Sequence, residues 1–98
     1  MKTYEGGRSL AGVVVTVNGA PLPQRLDLAA YSRTGFEWTY VGPAPRQLAL
    51  ALLADHLGDD AAAVRLSDPF MRAVVASLDN AWVLTSDDID AAIAALGS

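Results

Sequence analysis

The hydrophobic and polar positions of the chain change period once, near its middle. In LAGVVVTVNG, Ala11, Val13, Val15 and Val17 fall on one face and Leu10, Gly12, Val14 and Thr16 on the other, which predicts a strand with the first set buried. Asn18-Gly19 accepts positive φ after it, but Pro21 and Pro23 predict a connection longer than a two-residue hairpin. A short strand over Lys2 to Glu5, turning at Gly6-Gly7, is expected to pair with it. Arg25 to Tyr31 reads as a third strand, with Leu26, Leu28 and Ala30 together and Asp27 facing away. GFEWTY, residues 35–40, reads as the fourth, with Phe36, Trp38 and Tyr40 opposite Glu37 and Thr39.

From Pro45 onward the period is helical. Pro45 suits a first turn, Leu48, Leu52, Leu53, His56 and Leu57 follow, and Gly58 ends the run, so a helix is predicted over 45–57. Asp59 and Asp60 then start a second helix through Ala61, Val64 and Leu66. Ser67-Asp68-Pro69 repeats that start signal, which predicts a break before a longer helix carrying Phe70, Val74, Val75 and Leu78. AWVLT is a brief extended segment, after which Thr85 and Asp88 form a capping box for a last helix with Ile89, Ala92, Ile93 and Leu96. Strands first and three or four short helices after predict an α+β domain. Its antiparallel sheet of about four strands is expected to be covered on one face by helices, with the GFEWTY aromatics against the leucines of the first helix.

Length and composition narrow the classes. At 98 residues the chain fits one domain, residues 1–98, burying roughly two thirds of its unfolded surface. Hydrophobic residues are 52% and charged residues 18%, the balance of a folded globule. A net charge of −4 repels a phosphate backbone, so direct nucleic-acid binding is not expected. With no cysteine there is no disulfide, thiolate metal site or cysteine nucleophile. MKTYEGGRSL carries charge where a signal peptide needs an apolar core, and LALALLA is far shorter than the roughly 20 residues of a membrane span. A cytoplasmic protein without a membrane segment is the expectation.

Candidate chemistry is sparse. His56, the single histidine, lies near a helix end and reads as a boundary residue or partner of the helix dipole. Asp55, Asp59 and Asp60 around it can be written as a hard-cation site, but helix starts already account for Asp59 and Asp60. No cofactor or metal is expected. Glu37, between Phe36 and Trp38, reads first as a strand residue paired with Arg25, Arg33 or Arg46, and alternatively as a ligand acceptor together with Trp38 and Arg46. Trp38, Tyr40 and Trp82 serve first as core, and any that is exposed becomes a binding anchor. Asp59, Asp60, Asp68, Asp79, Asp87, Asp88 and Asp90 sit in the second half, whereas Lys2, Arg8, Arg25, Arg33 and Arg46 lie in the first. Helix starts explain that asymmetry; the alternative is an acidic face, centred on Asp87, Asp88 and Asp90 with Asp59 and Asp60, that meets a basic groove on another protein.

The stretch YSRTGFEWTYVGPAPRQLALALLADHL resembles a family of small uncharacterised bacterial, archaeal and phage proteins with a central motif close to SPTGFEWGYGGSGPAQLA. Ser32, Thr34, Gly35, Phe36, Glu37, Trp38, Tyr40, Gly42, Pro45, Gln47 and Leu48 match in register, and the likeness continues more loosely through Phe70, Trp82, Leu84, Thr85 and Ile89. The resemblance implies a fold and an association with mobile elements, and no reaction. This chain departs from the motif at Arg33, Thr39, Val41, Pro43, Ala44 and Arg46. A glycine-rich turn aims N–H groups at an anion, and Pro43 and Pro45 each remove one, so the turn at 42–47 reads as a corner more than a cradle. The leading expectation is a non-enzymatic protein-interaction module of a phage or mobile element, its partner a host nucleic-acid-binding complex inhibited in the manner of an anti-CRISPR protein. A small-ligand or anion site at the 42–47 turn is the alternative.

Overall fold

The computed structural model describes residues 1–97. The elements are β1 (Thr3–Ser9), β2 (Gly12–Val17), β3 (Ala20–Pro21), α1 (Pro43–Leu57), α2 (Asp60–Ala73), a 3-10 turn (Val75–Ser77), β4 (Trp82–Thr85) and α3 (Ser86–Leu96). The strands form one antiparallel sheet in the order β3-β2-β1-β4, so the described residues make an α+β fold with four strands and three helices.

Within β2 the alternation behaves as its pattern predicts, although Ala11, expected on the buried face, lies outside the strand and is exposed at the turn. Val13, Val15 and Val17 pair with Arg8, Gly6 and Tyr4 and share their face, which turns toward the helices, while Val14 remains 55% exposed. The expected pairing with the N-terminal strand is present, but that strand is longer than expected: β1 runs straight through Gly6-Gly7 and turns at Leu10-Ala11 instead. Gly6 is needed for space: the indole of Trp82, its partner on β4, occupies the volume a Cβ would take. Asn18 and Gly19, with φ of 50° and 85°, form a two-residue connection between β2 and β3. The prolines therefore shorten β3 to two residues rather than lengthening the turn.

Two expected strands are absent. Arg25 to Tyr31 is a turn, with Arg25 at φ 58° and the Leu28 N–H donating to the Arg25 carbonyl at 3.1 Å. GFEWTY is irregular, bent by positive φ at Gly35 (106°) and Thr39 (81°). Its alternation reports burial without pairing: Phe36 and Trp38 are buried, Tyr40 is 47% exposed, and the Thr39 N–H donates to the carbonyl of Val75 instead of a strand. AWVLT supplies the missing edge strand as β4.

The central helix is α1. It begins at Pro43, so both prolines fall in its first turn, where absent N–H groups leave no helical bond unmade. Leu48 to Leu53 are all fully buried, because the sheet, α2, α3 and the 22–41 segment surround this helix, and a helix apolar on every side must lie inside. Gly58 closes it at φ 64°. The expected break at Pro69 does not occur. Helix α2 continues through it, and although an interior proline costs roughly 3 kcal/mol, Phe70 and Met71 just beyond it are buried in the core. The apolar stripe then ends in the 3-10 turn rather than extending as helix through Leu78. Thr85 and Asp88 form the expected capping box of α3.

Candidate functional site

Residues 22–42 contain no helix and no strand, yet they carry much of the chain's unusual chemistry. What orders them is Gln47, a fully buried side chain of α1. Its Oε1 accepts from the backbone N–H groups of Tyr31 (2.8 Å) and Ser32 (3.2 Å), and its Nε2 donates to the carbonyls of Gln24 (2.7 Å) and Ala29 (3.1 Å). One amide thus satisfies both donors and acceptors of a segment that no strand partner serves.

Beyond this anchor the segment delivers Glu37 and Trp38 to the sheet. Glu37 pairs with Arg8 of β1 at 2.7 Å, not with Arg25, Arg33 or Arg46 as expected. Arg8 also donates to Asn80 Oδ1 (3.3 Å) and the Trp38 carbonyl (3.5 Å), and its guanidinium lies 4.5 Å above the Trp38 ring. Trp38 meets Trp82 edge-on, with centroids 5.7 Å apart at 85°, and neither buried indole N–H has a hydrogen-bond partner among the described residues. Glu37 and Trp38 thereby join a structural cluster. Among the described residues no hydrogen bond, ion pair or ring contact links either to Arg46, and the grouping of Glu37, Trp38 and Arg46 is divided.

Arg46 instead borders a pocket of about 270 Å³ between the 41–46 turn and α2. Its guanidinium stacks 4.0 Å from the Tyr31 ring, and its Nε donates to Ser67 Oγ at 3.2 Å. Ser67 is itself buried, donating to the Val64 carbonyl at 2.8 Å and lying 3.2 Å from the Tyr31 hydroxyl. Arg72, one helical turn after Asp68 and paired with it at 3.0 Å, lines the other side. Val41, Pro43 and Met71 supply apolar lining, and Tyr31, Gly42 and the Asp68 carboxylate, held by Arg72, complete it. Tyr40 rests on the lining residue Gly42, where a Cβ would lie 2.9 Å from the tyrosine Cε2. Val41 beside it is 50% exposed. The arrangement offers aromatic, aliphatic and guanidinium contacts in one concavity, suited to holding a group rather than to proton transfer.

The other expected residues are spoken for within the fold. Asp59 caps α2 by accepting from the Ala62 N–H at 3.1 Å, and Asp88 accepts from the Thr85 N–H at 2.9 Å. Asp60 lies 3.4 Å from Arg25, and Asp90 lies 2.6 Å from His56 Nε2, tying α3 to the end of α1. Only Asp87 of this group has no hydrogen bond or ion pair among the described residues. Asp55 accepts from the Tyr4 hydroxyl at 2.7 Å and pairs with Lys2 at 3.0 Å, so the residues of the hard-cation alternative point to separate partners. No three histidine or acidic side chains converge on a metal position among the described residues. Burial first, and then the hydrogen bond to Asp55, push the Tyr4 phenol well above its ordinary range. Arg25, donating to Asp27, holds that carboxyl below the usual value.

Sequence reasoning missed Gln47, Arg72 and Tyr31. A glutamine inside an otherwise apolar helix was the available signal for the first, and Arg72 was visible as the i+4 partner of Asp68. Neither a curated protein nor a solved structure matches the chain. A family model does match, over residues 4–95, and the chain belongs to that family of unknown function, DUF6166.

Proposed function

We propose that this chain is a small acidic protein-interaction module of a phage or other mobile element, which acts in the cytoplasm by occupying a host protein complex and catalyses no reaction of its own. Inhibition of a nucleic-acid-binding defence complex, as by an anti-CRISPR protein, is the specific form. The observation carrying this reading is the pocket beside the start of α1. Exposed Val41 lines it together with Arg46, Met71 and Arg72, exposed Tyr40 packs on its lining residue Gly42, and tyrosine and arginine are residues on which binding energy concentrates. The net charge of −4 supports a protein partner over nucleic acid itself. Asp87 and Asp90, both exposed on α3, provide the long-range attraction for a basic partner. Capture of one defined complex from a lysate of the host cells, abolished by Tyr40→Ala, supports the reading. Equal capture by wild type and Tyr40→Ala sinks the pocket version.

A small-ligand domain is the second reading, favoured by the pocket volume, which lies near the lower end of ligand sites. Its test is a metabolite thermal-shift screen in which stabilisation is lost in Arg46→Ala and kept in Glu37→Ala, since Glu37 belongs to the Arg8 cluster. A flat screen counts against it.

A further inference from the structure

We infer that the pocket between the 41–46 turn and α2 takes a single carboxylate carried on an apolar body, an assignment that rests on the binding reading above and names its chemistry. Both guanidiniums are held by one nitrogen and free at the others. Arg46 spends Nε on Ser67 and stacks on Tyr31, and Arg72 spends Nε on Asp68; among the described residues the terminal nitrogens of both have no partner. A guanidinium anchored in this way keeps a planar pair of donors whose spacing matches the oxygens of a carboxylate. The anchoring hydroxyl of Ser67 is completely buried, so Arg46 is positioned before anything binds.

Charge sets the valence of the guest. Arg46 and Arg72 against Asp68 leave one net positive charge at the pocket, which a monoanion balances and a phosphate dianion exceeds. The helix end contributes little, because Pro43 and Pro45 carry no N–H, so the guanidiniums carry the recognition. Val41, Pro43 and Met71 then offer the apolar body its contact area.

The test is an NMR titration following backbone amides and arginine Nε–H groups with phenylacetate, neutral phenylacetamide, inorganic phosphate and a capped Phe-Glu dipeptide. Phenylacetate is expected to saturate shifts at Val41, Arg46 and Arg72, with phenylacetamide and phosphate each about tenfold weaker. Arg72→Gln, at an exposed position that leaves the fold intact, is expected to weaken binding about tenfold, and Arg46→Gln at least as much. A dipeptide that binds more tightly than phenylacetate identifies a partner's acidic side chain as the source, and the reverse order identifies a free acid. Equal binding of phenylacetamide, absence of saturable shifts with both acids, or indifference to Arg72→Gln overturns the assignment. If those outcomes accompany partner capture that still depends on Tyr40, the carboxylate is wrong while the interaction stands. Loss of capture alone fails the interaction and leaves the carboxylate site in place.

Discussion

Replacing Gln47 isolates the interaction that orders the longest irregular segment. In Gln47→Leu the side-chain volume is nearly kept, but the N–H groups of Tyr31 and Ser32 and the carbonyls of Gln24 and Ala29 lose their partner. At a net ~0.5–1.5 kcal/mol per hydrogen bond, four bonds give ~2–6 kcal/mol, and water reaching the loosened segment brings the expectation to ~3–4 kcal/mol. A domain of this size has a total stability of roughly 5–15 kcal/mol, so the loss is a large fraction of the whole. Urea unfolding followed by tryptophan fluorescence reads it as a lower midpoint, and amide exchange at Tyr31 and Ser32 localises it. Gln47→Glu adds a sign test. Its carboxylate would face two carbonyl oxygens, which raises its folded pKa above the ordinary ~4.3. The deficit relative to wild type should then be smallest below pH ~4 and grow as pH rises, since the protonated acid can still donate to one carbonyl. A Gln47→Leu protein within ~1 kcal/mol of wild type, with unchanged protection at Tyr31 and Ser32, would refute the reasoning.

Other outcomes follow from the same contacts. Gly6→Ala drives a methyl into the Trp82 indole and should cost ~1–3 kcal/mol while changing the near-ultraviolet circular dichroism of the Trp38–Trp82 pair; an unchanged spectrum and midpoint would contradict the packing. Tyr4 has a raised folded pKa, so its contribution is fully present below pH ~10 and is lost as pH rises beyond it, by at most ~1.4 kcal/mol per pH unit; Tyr4→Phe should flatten that alkaline slope in pH-dependent unfolding. Thr85→Ala removes one half of the α3 capping box and should lower stability by ~1 kcal/mol in urea titration, with no effect on partner capture.

What could be read from the chain divides by the range of the signal. Several helix ends were legible because their causes are local: Gly58 closes α1 and Thr85 with Asp88 starts α3, while the start of α1 was read at Pro45, two residues inside its actual start at Pro43. The β2 pattern was legible for the same reason. GFEWTY misled because alternation measures which side chains are buried, and here Phe36 and Trp38 are buried by tertiary packing with no neighbouring strand to pair with. Gly6 read as a turn because the residue that requires it, Trp82, is far away in sequence. Pro69 read as a break because propensity omits the burial of Phe70 and Met71. At the site, Arg46 was visible and its company was not. Tyr31 reaches the pocket because Gln47 of α1 holds its backbone, Arg72 reaches it from α2 through the α1–α2 packing, and Glu37, adjacent in the motif, is drawn away by Arg8.

Charge reversal separates the two surfaces on which a partner could dock. Asp88 is unsuitable for this because it also holds the α3 cap, whereas Asp87 is free of such a role and Arg72 lines the pocket. The decisive measurement is quantitative capture of a host complex by tagged wild type, Arg72→Glu and Asp87→Lys proteins of verified fold. The pocket account predicts that Arg72→Glu loses the complex while Asp87→Lys retains most of it. Full capture by Arg72→Glu with loss in Asp87→Lys would contradict it and assign the contact to the acidic face of α3.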